Sequence, residues 1–347
     1  MEYYICHSWD STKGNHAGMV HLFEMIAREK KRNAKLYVVS EAKENSTITK
    51  ILRWLRLPKL HKIKYFCIAH YICLLSPQNS RVFLVEYFHI PVGQIIIANI
   101  LHRRRKDISV IGFAHLVPSM LDDMFTNDAL ENWQRPLTSI VTLGSSLNQY
   151  LVDRGIEIKK IHTLFHYVDN KYYNISSEEL IKKESSIIVM GALDRDFDTL
   201  YNVVNQSPDL HFILCIGNLE HLRTRFEGFT NVTLYGYLPE KKLKELMKSS
   251  SISLNIMNDT VGSNVITTSI AMGLAMVVSD VGSIRDYCNE ENAIFCNVCS
   301  EYVSALHKIV SDSFLLLKMQ EASLIKSRNY SIDNFLLNLD KPNLSVK

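Results

Sequence analysis

Short apolar runs alternate with amphipathic ones along the whole chain, and the alternation changes little between its two halves. In the first half, residues 3–7, 35–40, 81–87, 108–115, 139–144 and 161–169 read as buried strands. Between them lie runs with helical spacing: 19–31, which places Val20, Phe23, Ile26 and Ala27 on one face, then 92–102 and 145–154. In the second half, SIIVMG at 186–191 opens another series, continued by HFILCIGN, NVTLYGYLP, SISLNI, AMVVSD and AIFCN. Strand and helix alternating over short connections predict a parallel sheet covered on both faces, here formed twice. The polar run 170–186, rich in Lys, Glu and Ser, separates the two series. The expected division is therefore a first domain at 1–168, a linker at 169–185, a second domain at 186–326 and a terminal helix and tail at 327–347.

One stretch carries more local information than the rest. Residues 258–287 read NDTVGSNVITTSIAMGLAMVVSDVGSIRDY. Ser263 suits an N-cap and Gly273 a C′ position, which predicts a helix of about ten residues running into a buried strand. The open amides of Gly262, Ser263, Asn264 and Val265 at its start suit an anion, because unpaired N–H groups and the helix dipole both favour negative charge. The bland reading is an ordinary capped helix–strand unit.

Composition adds bounds. A chain of 347 residues with 47% hydrophobic content can bury two cores, and a net charge of +3 gives no argument for nucleic acid. No basic segment followed by an apolar segment and a cleavage site opens the sequence, and no apolar run reaches the ~20 residues of a spanning helix, so a soluble cytoplasmic chain is expected. The seven cysteines are scattered, and the single CxxC at Cys296 and Cys299 lacks a second pair or a nearby histidine; buried thiols are expected in preference to a metal or redox site.

Charge is uneven in one place. Residues 45–85 contain seven basic side chains (Lys50, Arg53, Arg56, Lys59, Lys62, Lys64 and Arg81) and no acidic one. Interleaving with Ile51, Trp54, Leu55 and Leu57 predicts a basic amphipathic helix over Lys50 to Lys64, either a solvated face or a contact with an anionic membrane surface. Single residues at strand ends complete the inventory. His115 follows an apolar strand, where doubly wound sheets place ligands. Gly14 and Gly18, in KGNHAG, allow close backbone approach in a loop that also holds Asp10 and His16.

The 258–287 stretch resembles the donor-site signature of GT-B glycosyltransferases, most closely the retaining glycosyltransferase family 4, through Ala271, Met272, Gly273, Leu274, Val277, Val278, Ser279, Asp280, Val281 and Gly282. The resemblance extends over most of the chain. It implies an α/β fold of GT-B type, two Rossmann-like parallel-sheet domains facing each other across a cleft, with the last helix returning to the first domain through Ile332, Phe335, Leu336 and Leu339. It implies transfer of a hexosyl residue from a nucleoside-diphosphate sugar to a glycan or lipid-linked acceptor, with retention, in cell-surface polysaccharide synthesis such as capsule or lipopolysaccharide.

By the same resemblance, His115 faces the donor sugar, and the loop of Gly14, His16 and Asp10 borders phosphate and acceptor. Tyr237 and Leu238 frame the nucleobase, and the amides from Gly262 to Val265, with Thr268, hold the diphosphate side. The chain departs from the family pattern where two glutamates are usual, at Thr260 and Thr268, and where an Arg and a Lys are usual, at Ala192 and Phe197. Arg195 is the nearby cation able to replace the latter pair on phosphate. No cofactor is expected, and no metal. The departures leave open a binding or scaffold subunit without turnover, or an epimerase on the same fold.

Overall fold

The computed structural model describes residues 1–9, 14–29, 32–41, 46–55 and 57–341. They form two compact units: Met1–Phe165 together with the chain from Phe335 onward, and His166–Asn334.

The first unit holds six parallel strands: β1 Glu2–Ser8, β2 Ala34–Ser40, β3 Arg81–Leu84, β4 Ser109–Ala114, β5 Ser139–Thr142 and β6 Ile161–Thr163. Their order is β2-β1-β3-β4-β5-β6. The four central strands are buried at nearly every position, which is why the sequence shows unbroken apolar runs there and no alternation. Aromatic rings fill the space under the helix Met19–Arg28. Phe23 lies 4.7 Å from Tyr4 and 5.9 Å from Phe113 by ring centroids. Phe335, from the helix Ile332–Leu339, closes this set at 6.3 Å from Phe23, and Arg32 donates to both carboxylate oxygens of Asp340 at 2.7 and 2.8 Å.

Two local expectations change here. The basic tract is not one helix but two, Thr47–Trp54 and Leu60–Leu75, because Pro58 has no amide to continue a helix and holds Leu57 out of the helical region. The apolar run 161–169 is strand only to Thr163. Asp169 then accepts the Lys171 amide in a turn, while Val168 bridges to Ser331 within the second unit. Arg56 lies outside the described residues. Among the described residues no helix is long and apolar enough to cross a membrane.

The second unit repeats the plan with β7 Glu184–Met190, β8 His211–Cys215, β9 Val232–Tyr235, β10 Ser250–Asn255, β11 Ala275–Ser279 and β12 Ala293–Cys296. All pairings are parallel and the order is β12-β11-β10-β7-β8-β9. Its core runs through Ile187, Val189, Phe212, Leu214, Leu254 and Val277 to Tyr302 and Leu306. Cys296 and Cys299 are free thiols, and burial pushes Cys296 up to about 12.

Candidate functional site

In the second unit the chain reverses its winding between β7 and β10, the topological position where open α/β sheets admit ligands beyond the strand ends. The two loops leaving those strands are joined to each other. Asp196 donates its amide to the Ile256 carbonyl at 3.2 Å, Asn258 donates to the Asp194 carbonyl at 3.1 Å, and Arg195 and Met257 form an antiparallel bridge.

Arg195 sits at this junction, half-buried, and donates to the Asn255 carboxamide oxygen at 3.0 Å. Burial is the main influence on its guanidinium and lowers it to about 10, with only the neighbouring Asp194 opposing. Its partner side chain is thus a neutral amide, which leaves most of the planar donor fork for another group. Beside it is Gly191, at φ +79°, where an added Cβ would stand 3.6 Å from Val265 and 3.9 Å from the guanidinium.

Val265 belongs to the helix Asn264–Ala271, whose N-cap is Ser263, its hydroxyl accepting the Ile266 amide at 3.3 Å. The amides of Asn264 and Val265 open that helix with no intrahelical acceptor. Gly262, at φ +92°, sets the turn into it; a side chain there would overlap the ring and hydroxyl of Tyr287. Tyr287 is itself fixed, stacked on Tyr330 at 5.2 Å and accepting the His166 amide at 2.8 Å. The Ser-Asp-Val-Gly run that follows has a mechanical explanation. Ser279 accepts the Met257 amide at 2.7 Å, Asp280 takes a two-point contact from Arg285, and Gly282 fits where a Cβ would overlap Asp259 and Thr260.

Gly191, Arg195, Gly262, Ser263, Asn264 and Val265 therefore meet in one place. Thr268 does not join them through its hydroxyl, which is turned back onto the Asn264 carbonyl at 2.6 Å. Tyr237 and Leu238 lie two strands away, past the end of β9. The Tyr237 ring is 57% exposed, and its amide is held at 2.8 Å by Asn218 from the loop after β8. With strands about 4.8 Å apart, that rim is roughly 10 Å from the β7–β10 junction, near the reach of a nucleoside diphosphate.

In the first unit, His115 directly follows β4, half-buried, with Nδ1 lacking a partner; burial first and His89 second lower it to about 4, so it is neutral at pH 7. Gly14 is exposed at φ +81° with open space where a Cβ would point, and the His16 ring lies 4.3 Å from that of His21. Asp10 and Lys13 lie outside the described residues.

Residues 184–312 match the model of the family described as Glycosyl transferases group 1. A search of curated proteins finds no match to the sequence. Among solved structures, Anabaena HepE in complex with UDP and glucose is similar at a TM-score of 0.75 and 12% identity, covering 98% of both chains. A glycosyltransferase from Rickettsia africae is similar at 0.66 and 13% identity, over 99% of this chain and 97% of that one. The lipopolysaccharide outer core galactosyltransferase WaaB gives 0.65 and 10%, over 98% of each chain. The fold is GT-B.

Two carboxylates of this GT-B chain escaped sequence reasoning. Asp194 takes φ +53°, unusual for a non-glycine residue, and its Oδ2 is buried without a partner. Burial first and the Asp259 charge second push its carboxyl up. Asp194 and Asp259 leave the ends of β7 and β10, so the strand-end rule applied to both loops would have singled them out, whereas a search for glutamates at positions 260 and 268 passed over them.

Proposed function

We propose that the chain is a glycosyltransferase that moves a hexosyl residue from a nucleoside-diphosphate sugar to a hydroxyl of a glycan or lipid-linked glycan. The observation that carries this reading is the half-buried Arg195 guanidinium, bonded to a neutral amide and placed beside the open amides of Asn264 and Val265. Together they form a positive, preorganised cradle for a diphosphate. In the reaction the bond from the anomeric carbon to the β-phosphate oxygen breaks and a bond to the acceptor oxygen forms. The acceptor proton leaves with the departing phosphate, whose negative charge the cradle stabilises as it develops.

In this reading Tyr237 and Leu238 frame the base, Thr268 supports the diphosphate side by tying the helix's first turn, and Asp194 and Asp259 supply hydroxyl-binding carboxylates in place of the family's glutamates. His115, with Gly14 and His16, serves the sugar and acceptor side. Anabaena HepE bound to UDP and glucose supports the donor class by similarity of fold. Retention of anomeric configuration, a role in cell-surface polysaccharide synthesis, a site on the inner face of a membrane reached through Lys50 to Lys64, and independence from metal belong to the same proposal.

One observation favours a binding subunit without turnover: Thr268, in the place of a family glutamate, turns its hydroxyl inward. A thermal-shift panel of UDP, GDP, CDP and their sugars, followed by product analysis with the stabilising donor, separates the readings. Stabilisation with no sugar released or transferred supports the subunit. Conversion of the nucleotide sugar into its epimer with no acceptor present supports an epimerase.

A further inference from the structure

Strands β4, β5 and β6 lie side by side at one end of the first unit's sheet, and all run the same way. The segments that lead into them are basic. His102, Arg103 and Lys106 precede β4, Arg135 precedes β5, and Lys159 and Lys160 directly precede β6. Parallel pairing therefore gathers these side chains at the amino ends of the three strands. The gathering shows at His102, whose Nε2 lies 3.3 Å from Lys106 Nζ; burial first, then Lys106, Lys160, Arg103 and Arg135, hold its imidazole below the ordinary value. The neighbouring carboxylates are already taken. Glu131 pairs with Arg135 at 3.7 Å, Glu157 with Lys159 at 2.5 Å and Asp107 with Arg105 at 2.7 Å. Among the described residues Arg103, Lys106 and Lys160 have no ion pair. Lys160 is half-buried and donates to the neutral Gln134 carboxamide at 2.9 Å, and burial lowers its ammonium despite the nearby Glu157. The helix dipole accounts for Arg103, in the last turn of the helix Ile95–Arg104, where cations are favoured. It does not account for Lys160, brought in from another element at a cost in desolvation and like-charge repulsion.

We propose that the amino ends of β4, β5 and β6 form a second anion site, which takes a soluble oligophosphate across Arg103, Lys106 and Lys160. Arg103 is exposed and offers a planar fork for two phosphate oxygens, while the two ammonium groups act as point charges on the adjoining phosphates. Cations supplied by separate segments suit several linked phosphates better than a single one. Single-stranded nucleic acid fits less well, because Trp133, next to Gln134, is bonded to the Tyr87 carbonyl at 3.1 Å and packs 5.4 Å from Phe125, and so is not presented as a platform for a base. The six residues of β4, about 20 Å of strand, separate this site from His115. It does not depend on the transferase reading.

The test uses the full chain labelled with 15N-histidine, the His102 ring signal being assigned by its loss in His102→Gln. Sodium tripolyphosphate is expected to shift that signal saturably and to raise its titration midpoint, because a bound anion removes the repulsion that opposes protonation. Arg103→Gln, at an exposed position, weakens binding about threefold or more, and Arg103→Gln combined with Lys160→Gln about tenfold or more. Arg195→Met leaves the His102 response unchanged, which separates this site from the diphosphate cradle of the second unit. Sodium chloride at the same ionic strength moves the midpoint far less. An equal shift with sodium chloride shows screening alone and overturns the proposal, as does a response that is lost in Arg195→Met or unaltered in the double variant. Vesicle flotation that depends on Arg103 and Lys160, with no response to tripolyphosphate, also overturns it and makes the group a lipid contact.

Discussion

Gly262 lies against Tyr287 so closely that no other residue fits at position 262. Its φ of +92° excludes ordinary side chains by backbone conformation, and a Cβ would overlap the phenol ring. Tyr287 cannot swing aside without breaking its stacking on Tyr330 and its bond from the His166 amide. Gly262→Ala is therefore expected to destabilise the second unit by about 2–4 kcal/mol, read as a lower denaturant midpoint with unchanged slope. An unchanged midpoint would show that the loop has another way to turn into the helix.

The buried carboxyl of Glu86 predicts a pH dependence of the first unit. Burial raises it to about 8, against the His7 amide at 2.6 Å and the Gln94 amide group at 3.1 Å, both of which favour the charged form. The folded state thus holds a proton the unfolded chain has released above about 4.5, so the stability Glu86 contributes is lost as pH rises towards 8. His7 and His115 have the opposite sign: their lowered pKa values make stability fall as pH drops from about 6.5 to about 4. Between pH 6.5 and 8 the Glu86 effect stands alone in this cluster, at most about 1.4 kcal/mol per pH unit. Chemical denaturation across that window is expected to show falling stability that flattens in Glu86→Gln; an identical slope in both chains would place the titrating group elsewhere.

The two helices Thr47–Trp54 and Leu60–Leu75, with the connection between them, expose Ile51 and Leu55, Trp54 at 81%, and Leu57, alongside the exposed Lys50, Lys59 and Lys64. Basic side chains near an anionic surface contribute about 1 kcal/mol each, and Trp54 adds apolar area. Flotation with vesicles containing anionic lipid is the expected result, reduced by Trp54→Ala and by high salt. Equal behaviour with neutral and anionic vesicles would remove the membrane from the account.

If transfer proceeds with the leaving phosphate as proton acceptor, the first-formed product from an α-linked donor is α-linked by proton NMR, and turnover survives EDTA. A β-linked product, or activity lost to EDTA and restored by manganese, contradicts this.

The sheets were legible because parallel strands buried on both faces leave continuous apolar runs, and β7, β10 and β11 could be placed from SIIVMG, SISLNI and AMVVS alone. The cap at Ser263 and the turn at Gly273, φ +61°, were equally readable, since each is decided by its own residue. Pairings across sequence were not. Arg195 with Asn255 joins residues 60 apart, and nothing local announces that a guanidinium in LDRD will be half-buried. The break at Pro58 was present in the sequence, but the continuous basic tract concealed it. Arg103, Lys106 and Lys160 look unrelated until β4, β5 and β6 bring their amino ends together.

The central claim is that the Arg195 guanidinium and the first amides of the helix Asn264–Ala271 hold a diphosphate. Calorimetric titration of the full chain with the stabilising nucleoside diphosphate, its monophosphate and the nucleoside tests it most directly, in the native chain and in Arg195→Met. The account predicts that affinity rises with each phosphate and that Arg195→Met weakens the diphosphate at least tenfold, about 1.4 kcal/mol or more, while leaving the nucleoside unchanged. Equal affinity of native chain and variant for the diphosphate would contradict it.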